Sequence, residues 1–206
     1  AKYAAERIKK NDFVYVDAGT TTGCLIDWIC EQGAVFVTNG IVHARTLAEK
    51  GYFPKEDLKT LRHTGSYLQG HPDMKHIPGI DMSSGSLGQG VSVAVGMAAA
   101  GKYDKKDYRV YTLTGDGEIQ EGQIWEAAMW AGHRKLDNLV VIVDNNNLQI
   151  DGSVEDVCSP YPIDKKFEAF NFHVINIDGN DFDQIRAAFK EARETKGMPT
   201  ALSLIH

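Results

Sequence analysis

Apolar positions along this chain fall into short unbroken runs that alternate with stretches of helical period. Phe13-Val14-Tyr15-Val16 is β-branched and aromatic, ends at Asp17-Ala18-Gly19-Thr20-Thr21-Thr22, and is followed by a helical stretch with Leu25, Ile26, Trp28 and Ile29. Val35-Phe36-Val37 predicts a second strand, with Thr38-Asn39-Gly40 as the turn into another short helix. From Tyr52 to Ser86 no period is sustained, and Pro54, Pro72 and Pro78 make this a long irregular stretch of the kind that usually carries function. A helix from about Gly88 to Gly101, rich in Ala, Val and Gly, is expected to be buried on most sides. Then come strand Val110 to Leu113, helix Gly122 to Gly132, strand Leu139 to Val143, strand Val174 to Ile177, helix Phe182 to Thr195 and strand Ala201 to Ile205. Nearly continuous apolar strands alternating with helices predict an α/β fold, a mostly parallel sheet with helices on both faces. In such sheets ligands bind at the carboxyl ends of the strands.

Composition narrows the function classes. The 206 residues are 43% hydrophobic and 24% charged, ordinary globular values that argue against disorder. A net charge of −6 excludes a strongly basic nucleic-acid footprint over the whole chain. No apolar run approaches the roughly 18 residues of a membrane helix and no leader pattern opens the chain, so a soluble, cytoplasmic protein without membrane contact is expected. Cys24, Cys30 and Cys158 are too few and scattered for a disulfide framework or a zinc site, and are expected to be reduced and structural. Residues 1 to 50 carry equal numbers of acids and bases, so the whole net charge belongs to the rest.

The strongest chemistry follows two of the strands. Val110 to Leu113 runs into Thr114-Gly115-Asp116-Gly117, and Leu139 to Val143 runs into Asp144-Asn145-Asn146-Asn147. Neighbouring strands would bring an acid and an amide oxygen together at one end of the sheet, a hard donor set suited to magnesium and its water and phosphate ligands. Gly115 and Gly117 would let the chain turn and a phosphate approach closely. Either motif alone reads more readily as a plain turn. Together, each after a strand, they favour a metal-diphosphate site.

Gly-Asp-Gly followed some 27 residues later by an Asn-Asn pair resembles the thiamine diphosphate signature of thiamine-dependent enzymes. Gly70-His71-Pro72-Asp73, Pro78-Gly79-Ile80-Asp81, Ser84 to Gly90, Gly117 to Gly122 and Asn145 to Gly152 resemble, more narrowly, transketolase in the form whose N-terminal section is a separate chain. The resemblance spans about residues 47 to 200. It implies a transferase of carbohydrate metabolism, in the pentose phosphate pathway, that moves a two-carbon ketol unit from a ketose phosphate to an aldose phosphate. The implied cofactors are thiamine diphosphate and Mg2+, or another divalent cation such as Ca2+ or Mn2+. By resemblance Asp116 and the Asn146 side chain are metal ligands, and Leu148 completes the set with its backbone carbonyl. Gly85, Ser86 and Leu87 line the cofactor, Gly117 meets the diphosphate through its backbone, and Asn146 also belongs to the cofactor site. His71 matches the histidine that meets the sugar donor near its reacting end. On composition alone it would be an exposed loop residue, as would His63, His76, His133 and His173 be merely structural. Glu121 and Glu126, ordinarily first-turn acids of a helix, fall near the family's subunit contact.

The family's aminopyrimidine-activating glutamate has no counterpart here, which implies a partner, the transketolase C-terminal section or pyrimidine-domain chain, in a homo-oligomer or heterotetramer. Nor is there a counterpart to the family's N-terminal helical region, so one face of the sheet is expected to be exposed. Residues 1 to 50 instead resemble the effector-sensing domain of DeoR-type repressors, through Asp17 to Thr22 and Val37 to Gly40. A Gly-Thr turn opening a helix suits a sugar phosphate, although it reads equally as a capped helix start. The two resemblances meet at Leu47 to Tyr52, giving a segment 1–50 and a thiamine diphosphate-binding domain 51–206. After Ala201 the transketolase pattern lapses, and Leu202 to His206 is read as a truncated or foreign end. Two alternatives stand beside the transketolase reading: a sugar-phosphate-sensing repressor module, and a sibling thiamine enzyme such as a deoxyxylulose phosphate synthase. Against the sibling, Gly70 to Asp73 and Ser86 to Gly90 favour transketolase.

Overall fold

The computed structural model describes residues 85–206 throughout and, before them, residues 2–6, 8, 10, 13–16, 26–30, 35–38, 49–51, 54–71, 73–76 and 82–83. The chain divides into two compact units, residues 1–85 and residues 86–206. The expected segment boundary at 50/51 concerns family resemblance and is a different division from this one.

In the first unit, helix α1 (Lys2–Ala5) precedes strands β1 (Phe13–Val16) and β2 (Val35–Thr38). The strands pair in parallel, with Phe13 opposite Val35 and Val16 opposite Thr38. Ala5, Ile26 and Ile29 are buried. Lys50 Nζ donates to the carbonyls of Asp27 at 3.2 Å and Ile29 at 2.9 Å, tying the chain before the 3-10 turn Lys55–Thr60 to the earlier helical turn. The DeoR-like turn Asp17 to Thr22, Asn39-Gly40, Cys24, the joint at Leu47-Ala48 and Pro78 to Asp81 lie outside the described residues.

The second unit is built on a four-stranded parallel sheet of β3 (Val110–Gly115), β4 (Leu139–Asn145), β7 (His173–Asp178) and β8 (Thr200–Ile205). Its order is β3-β4-β8-β7, so the last strand of the chain lies between two earlier ones. Helices α2 (Gln89–Tyr103), α3 (Gly122–His133), α4 (Val154–Cys158), α5 (Ile163–Ala169) and α6 (Phe182–Glu194) accompany it, with a small hairpin of β5 (Leu148–Gln149) and β6 (Gly152–Ser153).

The unbroken apolar run of β4 has a simple cause. Side chains alternate along a strand, and here both faces meet a core. Leu139, Val141 and Val143 join Val91, Ala94 and Ala98 of α2, Ile124, Ala128 and Ala131 of α3, and Phe167 of α5. Val140 joins Leu202, Ile175 and Ile177 with Ala188 and Ala192 of α6. Trp125 and Phe172 flank Phe167, each with ring centroids 5.2 Å away.

The four strands and three long helices stand where the apolar pattern predicts. Four expectations change. β3 and β4 each run two residues further than their apolar runs, so Asp144 and Asn145 close the strand instead of opening a loop. Helix α2 is not buried on most sides: Val91, Ala94, Val95, Ala98 and Gly101 face the core, whereas Gly96, Met97 and Ala100 are exposed. Cys30 and Cys158 are free thiols, but both are exposed and neither belongs to a core. Leu202 to Ile205, expected as part of a truncated or foreign end, lies in an interior strand of the sheet, with Leu202 fully buried. Among the described residues no helix is long and apolar enough to cross a membrane.

Candidate functional site

The carboxyl ends of β3 and β4 are held side by side by the sheet register, Gly115 opposite Asp144. The next residue, Asp116, is fully buried, and its N–H donates to the Asp144 carbonyl at 3.0 Å. Its carboxylate is held by backbone alone. Oδ1 accepts the Gly117 N–H at 2.9 Å and Oδ2 accepts the Asn147 N–H at 2.6 Å. Asn147 presents that N–H from a left-handed conformation, φ 58°, which asparagine tolerates better than most residues. Burial pushes the Asp116 carboxyl above the ordinary carboxylate range, the two N–H donors oppose the rise, and the Asp144 carboxylate adds to it. A bound cation would reverse that balance.

Asn146 is fixed at both ends of its amide. Nδ2 donates to Asp144 Oδ2 at 3.1 Å, and Oδ1 accepts the Leu148 N–H at 2.8 Å. Leu148 itself has an exposed side chain, so what it offers the site is backbone. Gly117 lies under this turn. A β-carbon there would come within 2.9 Å of the Gln149 β-carbon and 3.7 Å of the Leu148 carbonyl oxygen, so only glycine lets the two loops approach as they do. Gly117 has ordinary helical φ and ψ, and close approach is the reason for the residue. Asp116, Gly117, Asn146 and Leu148 are thus brought together as expected.

Two features beyond the expected residues hold this end of the sheet. The Glu118 carboxylate accepts the Gly88 N–H at 2.9 Å and the Gly115 N–H at 3.3 Å, joining the loop before α2 to the end of β3. Ser86 and Leu87, exposed just before Gly88, are carried by this bond. Gln123 adds a bond from Nε2 to the Gly88 carbonyl at 3.3 Å. The signal for Glu118 was present in the motif, but an acid in a helical turn ordinarily reads as solvated. His206 Nε2 pairs with Asp144 Oδ1 at 2.8 Å. No motif pointed to it.

His71 and Gly85 belong to the first unit. His71 is exposed and faces Gly85, where a β-carbon would meet its Cδ2 at 2.7 Å. Gly85 has φ 103°, a conformation open to glycine and strained for other residues. In the second unit, Glu121 stands at the N-terminus of α3 and Glu126 on its exposed side. His76 pairs with Asp73 at 2.8 Å and His173 with Glu191 at 2.7 Å.

The donors expected here, the Asp116 carboxylate, the Asn146 amide oxygen and the Leu148 backbone carbonyl, are all oxygen. That chemistry suits a hard, octahedral cation that takes its other ligands from water and phosphate. Each Asp116 oxygen accepts one N–H and keeps a lone pair, as does Asn146 Oδ1. Among the described residues no three His, Cys, Asp or Glu side chains gather as a metal-binding group.

Residues 44–205 match the family described as "Transketolase, thiamine diphosphate binding domain". The chain belongs to that family. The match runs to the end of β8 and corrects the expectation of a foreign end there. Residues 1–68 match the DeoR C terminal sensor domain, overlapping the first match from 44 to 68. The 6-deoxy-6-sulfo-D-fructose transketolase subunit of a Clostridium species is 49% identical over 158 residues, 77% of this chain and 58% of that protein. An apulose-4-phosphate transketolase subunit of Actinobacillus succinogenes is 46% identical over 139 residues, 68% of this chain and 50% of that protein. Human transketolase is 44% identical over 159 residues, 75% of this chain and 24% of its own length. The chain therefore spans about half the length of the subunit-type relatives it matches. Among solved structures, Campylobacter jejuni transketolase aligns with TM-score 0.67 and 30% identity over 98% of this chain and 31% of its own.

Proposed function

We propose that this transketolase-family chain is the diphosphate- and metal-binding half of a transferase that moves a two-carbon ketol unit between sugar phosphates, with a pyrimidine-domain chain completing the site. The observation that carries the reading is the convergence of buried Asp116 with the Asn146-Asn147-Leu148 turn at the ends of two adjacent parallel strands. In this reading Asp116, Asn146 and the Leu148 carbonyl hold Mg2+, with Ca2+ or Mn2+ as substitutes. Gly117 presents bare backbone to the diphosphate, Gly85, Ser86 and Leu87 line the cofactor, and His71 meets the sugar. When bound, the cofactor would supply the carbon chemistry and the cation would neutralise and orient the diphosphate. The protein groups position both. Names of relatives that include "subunit" support a partner chain.

The test is thermal shift of the 206-residue chain with thiamine diphosphate and Mg2+, against a panel of sugar phosphates. The expected result is stabilisation by the cofactor pair, absent in Asp116→Ala. Transfer from xylulose 5-phosphate to ribose 5-phosphate is expected only after a pyrimidine-domain chain is added. A second reading rests on the DeoR match over residues 1–68, which supports a sugar-phosphate-sensing segment. Stabilisation by sugar phosphates alone, unchanged in Asp116→Ala, would favour it.

A further inference from the structure

We infer that His206 is a positioning residue for the metal site, acting through Asp144 on the amide of Asn146. The inference rests on the metal-diphosphate reading above. An asparagine amide can bind a cation only if its oxygen end, not its NH2 end, faces the ion, and the two ends are nearly the same shape. What decides the orientation is the hydrogen bond made by the other end. Here Asn146 Nδ2 is held by Asp144 Oδ2 at 3.1 Å, which turns Oδ1 to the acceptor side, where it meets the Leu148 N–H at 2.8 Å. Asp144 is half-exposed, and a free carboxylate two residues from a metal ligand could swing to the cation itself or release the amide. His206 prevents both by occupying Oδ1 at 2.8 Å.

The imidazole is itself fixed on three sides. Its ring lies against Gly179, where a β-carbon would come within 2.6 Å of Cε1 and 3.0 Å of Nε2. Asn180 Nδ2 lies 3.2 Å from Nδ1, so with the amide donating, Nδ1 accepts and Nε2 carries the proton given to Asp144. The His206 N–H donates to the Asn145 carbonyl at 3.2 Å, and the Gly179 N–H to the Ile205 carbonyl at 2.9 Å, which sets the ring's height beside the end of β4. The ends of β7 and β8 thus hold the ring that holds Asp144. Outer partners of this kind orient metal ligands, and their loss typically weakens metal affinity by about tenfold to a hundredfold.

The test uses the full chain with thiamine diphosphate, titrated with Mn2+ and followed by the electron paramagnetic resonance signal of free Mn2+. The variants are His206→Ala, His206→Gln and, as the control for the site itself, Asp116→Ala. His206→Ala is expected to weaken Mn2+ binding about tenfold, with the melting temperature of the ligand-free chain unchanged. His206→Gln, whose Nε2 can donate to Asp144, is expected to restore most of the affinity. Wild-type affinity in His206→Ala while Asp116→Ala loses binding would overturn the positioning role and leave the site standing. So would a loss that His206→Gln fails to rescue and that follows a fall in melting temperature. Absence of cofactor-dependent Mn2+ binding in the wild type would overturn the site, and the role of His206 with it.

Discussion

The loop after β3 and the end of strand β4 each place a carboxylate at the same end of the sheet, Asp116 and Asp144, and the two are held by different means. Asp116 is fully buried and its oxygens accept only backbone N–H groups, from Gly117 and Asn147. Asp144 is half-exposed and its oxygens accept only side-chain donors, from Asn146 and His206. The path of the chain fixes the first, so the carboxylate is present before any ligand arrives and carries the desolvation that pushes its proton affinity up. Two side chains fix the second, Asn146 from the turn that follows β4 and His206 from the residue after β8, so it can be loosened without disturbing the fold. The buried acid suits direct ligation, and the half-exposed one suits the orientation of a neighbour.

The largest way to break this contrast is Asp116→Ala. It removes the carboxylate proposed as the central oxygen ligand and leaves the N–H groups of Gly117 and Asn147 without acceptors, each a loss of about 1–3 kcal/mol if no water replaces the carboxylate. Cofactor-dependent cation binding, followed by calorimetry, is expected to vanish, and the denaturant midpoint of the ligand-free chain to fall. A midpoint at or above the wild type would show that the uncompensated buried charge costs more than its hydrogen bonds return.

Gly117→Ala tests the approach of the two loops. The added β-carbon would sit 2.9 Å from that of Gln149, so the hairpin must shift, at a cost of about 1–3 kcal/mol for overpacking. Cation affinity is expected to fall as the Leu148 carbonyl moves with it. The double variant Gly117→Ala with Gln149→Gly removes the obstructing carbon and is expected to recover stability in the same denaturation experiment. Failure to recover would mean that glycine serves something other than this contact.

Asp144→Ala is the sharper half of the comparison. Its partners are partly solvated, so the stability loss is expected to stay below about 1 kcal/mol, while cation binding weakens as the Asn146 amide is freed. A loss of stability as large as that of Asp116→Ala would erase the distinction between chain-held and side-chain-held acids.

Much of this end of the sheet was legible in the sequence because strand ends and ligand types share one local signal. An apolar run that stops just before Gly115-Asp116-Gly117 or at Asp144-Asn145-Asn146 says, to within two residues, where the strand finishes and what stands there. The short helices α4 and α5 were not legible, since five and seven residues carry too little period. Nor was the half-exposure of α2, because small apolar residues look alike whether they face a core or an uncovered side. The role of Glu118 depends on a backbone N–H thirty residues earlier. His206 meets Asp144 only because β8 inserts beside β4, a pairing of distant segments that no local pattern encodes.

The smallest effect isolates the part that burial plays. Asp181, which follows β7 and caps α6, also accepts backbone N–H groups, from Asp183 at 2.9 Å and Gln184 at 3.1 Å, but it is half-exposed where Asp116 is fully buried. The Gln184 backbone and side-chain donors, with Asp183, hold its carboxyl below the ordinary range, whereas Asp116 with similar donors is raised. The difference between the two is desolvation. For a depressed carboxyl, the contribution to folding is fully present above the unfolded pKa of about 3.9 and is lost as pH falls through the lower folded value. Asp181→Asn keeps a capping oxygen and cannot titrate in this range. The stability of the wild type relative to Asp181→Asn, read from denaturant midpoints, is therefore expected to shrink as pH is lowered from about 5 towards 2. A difference that stays constant over that range would show that the cap, and not the ionised carboxylate, accounts for the interaction.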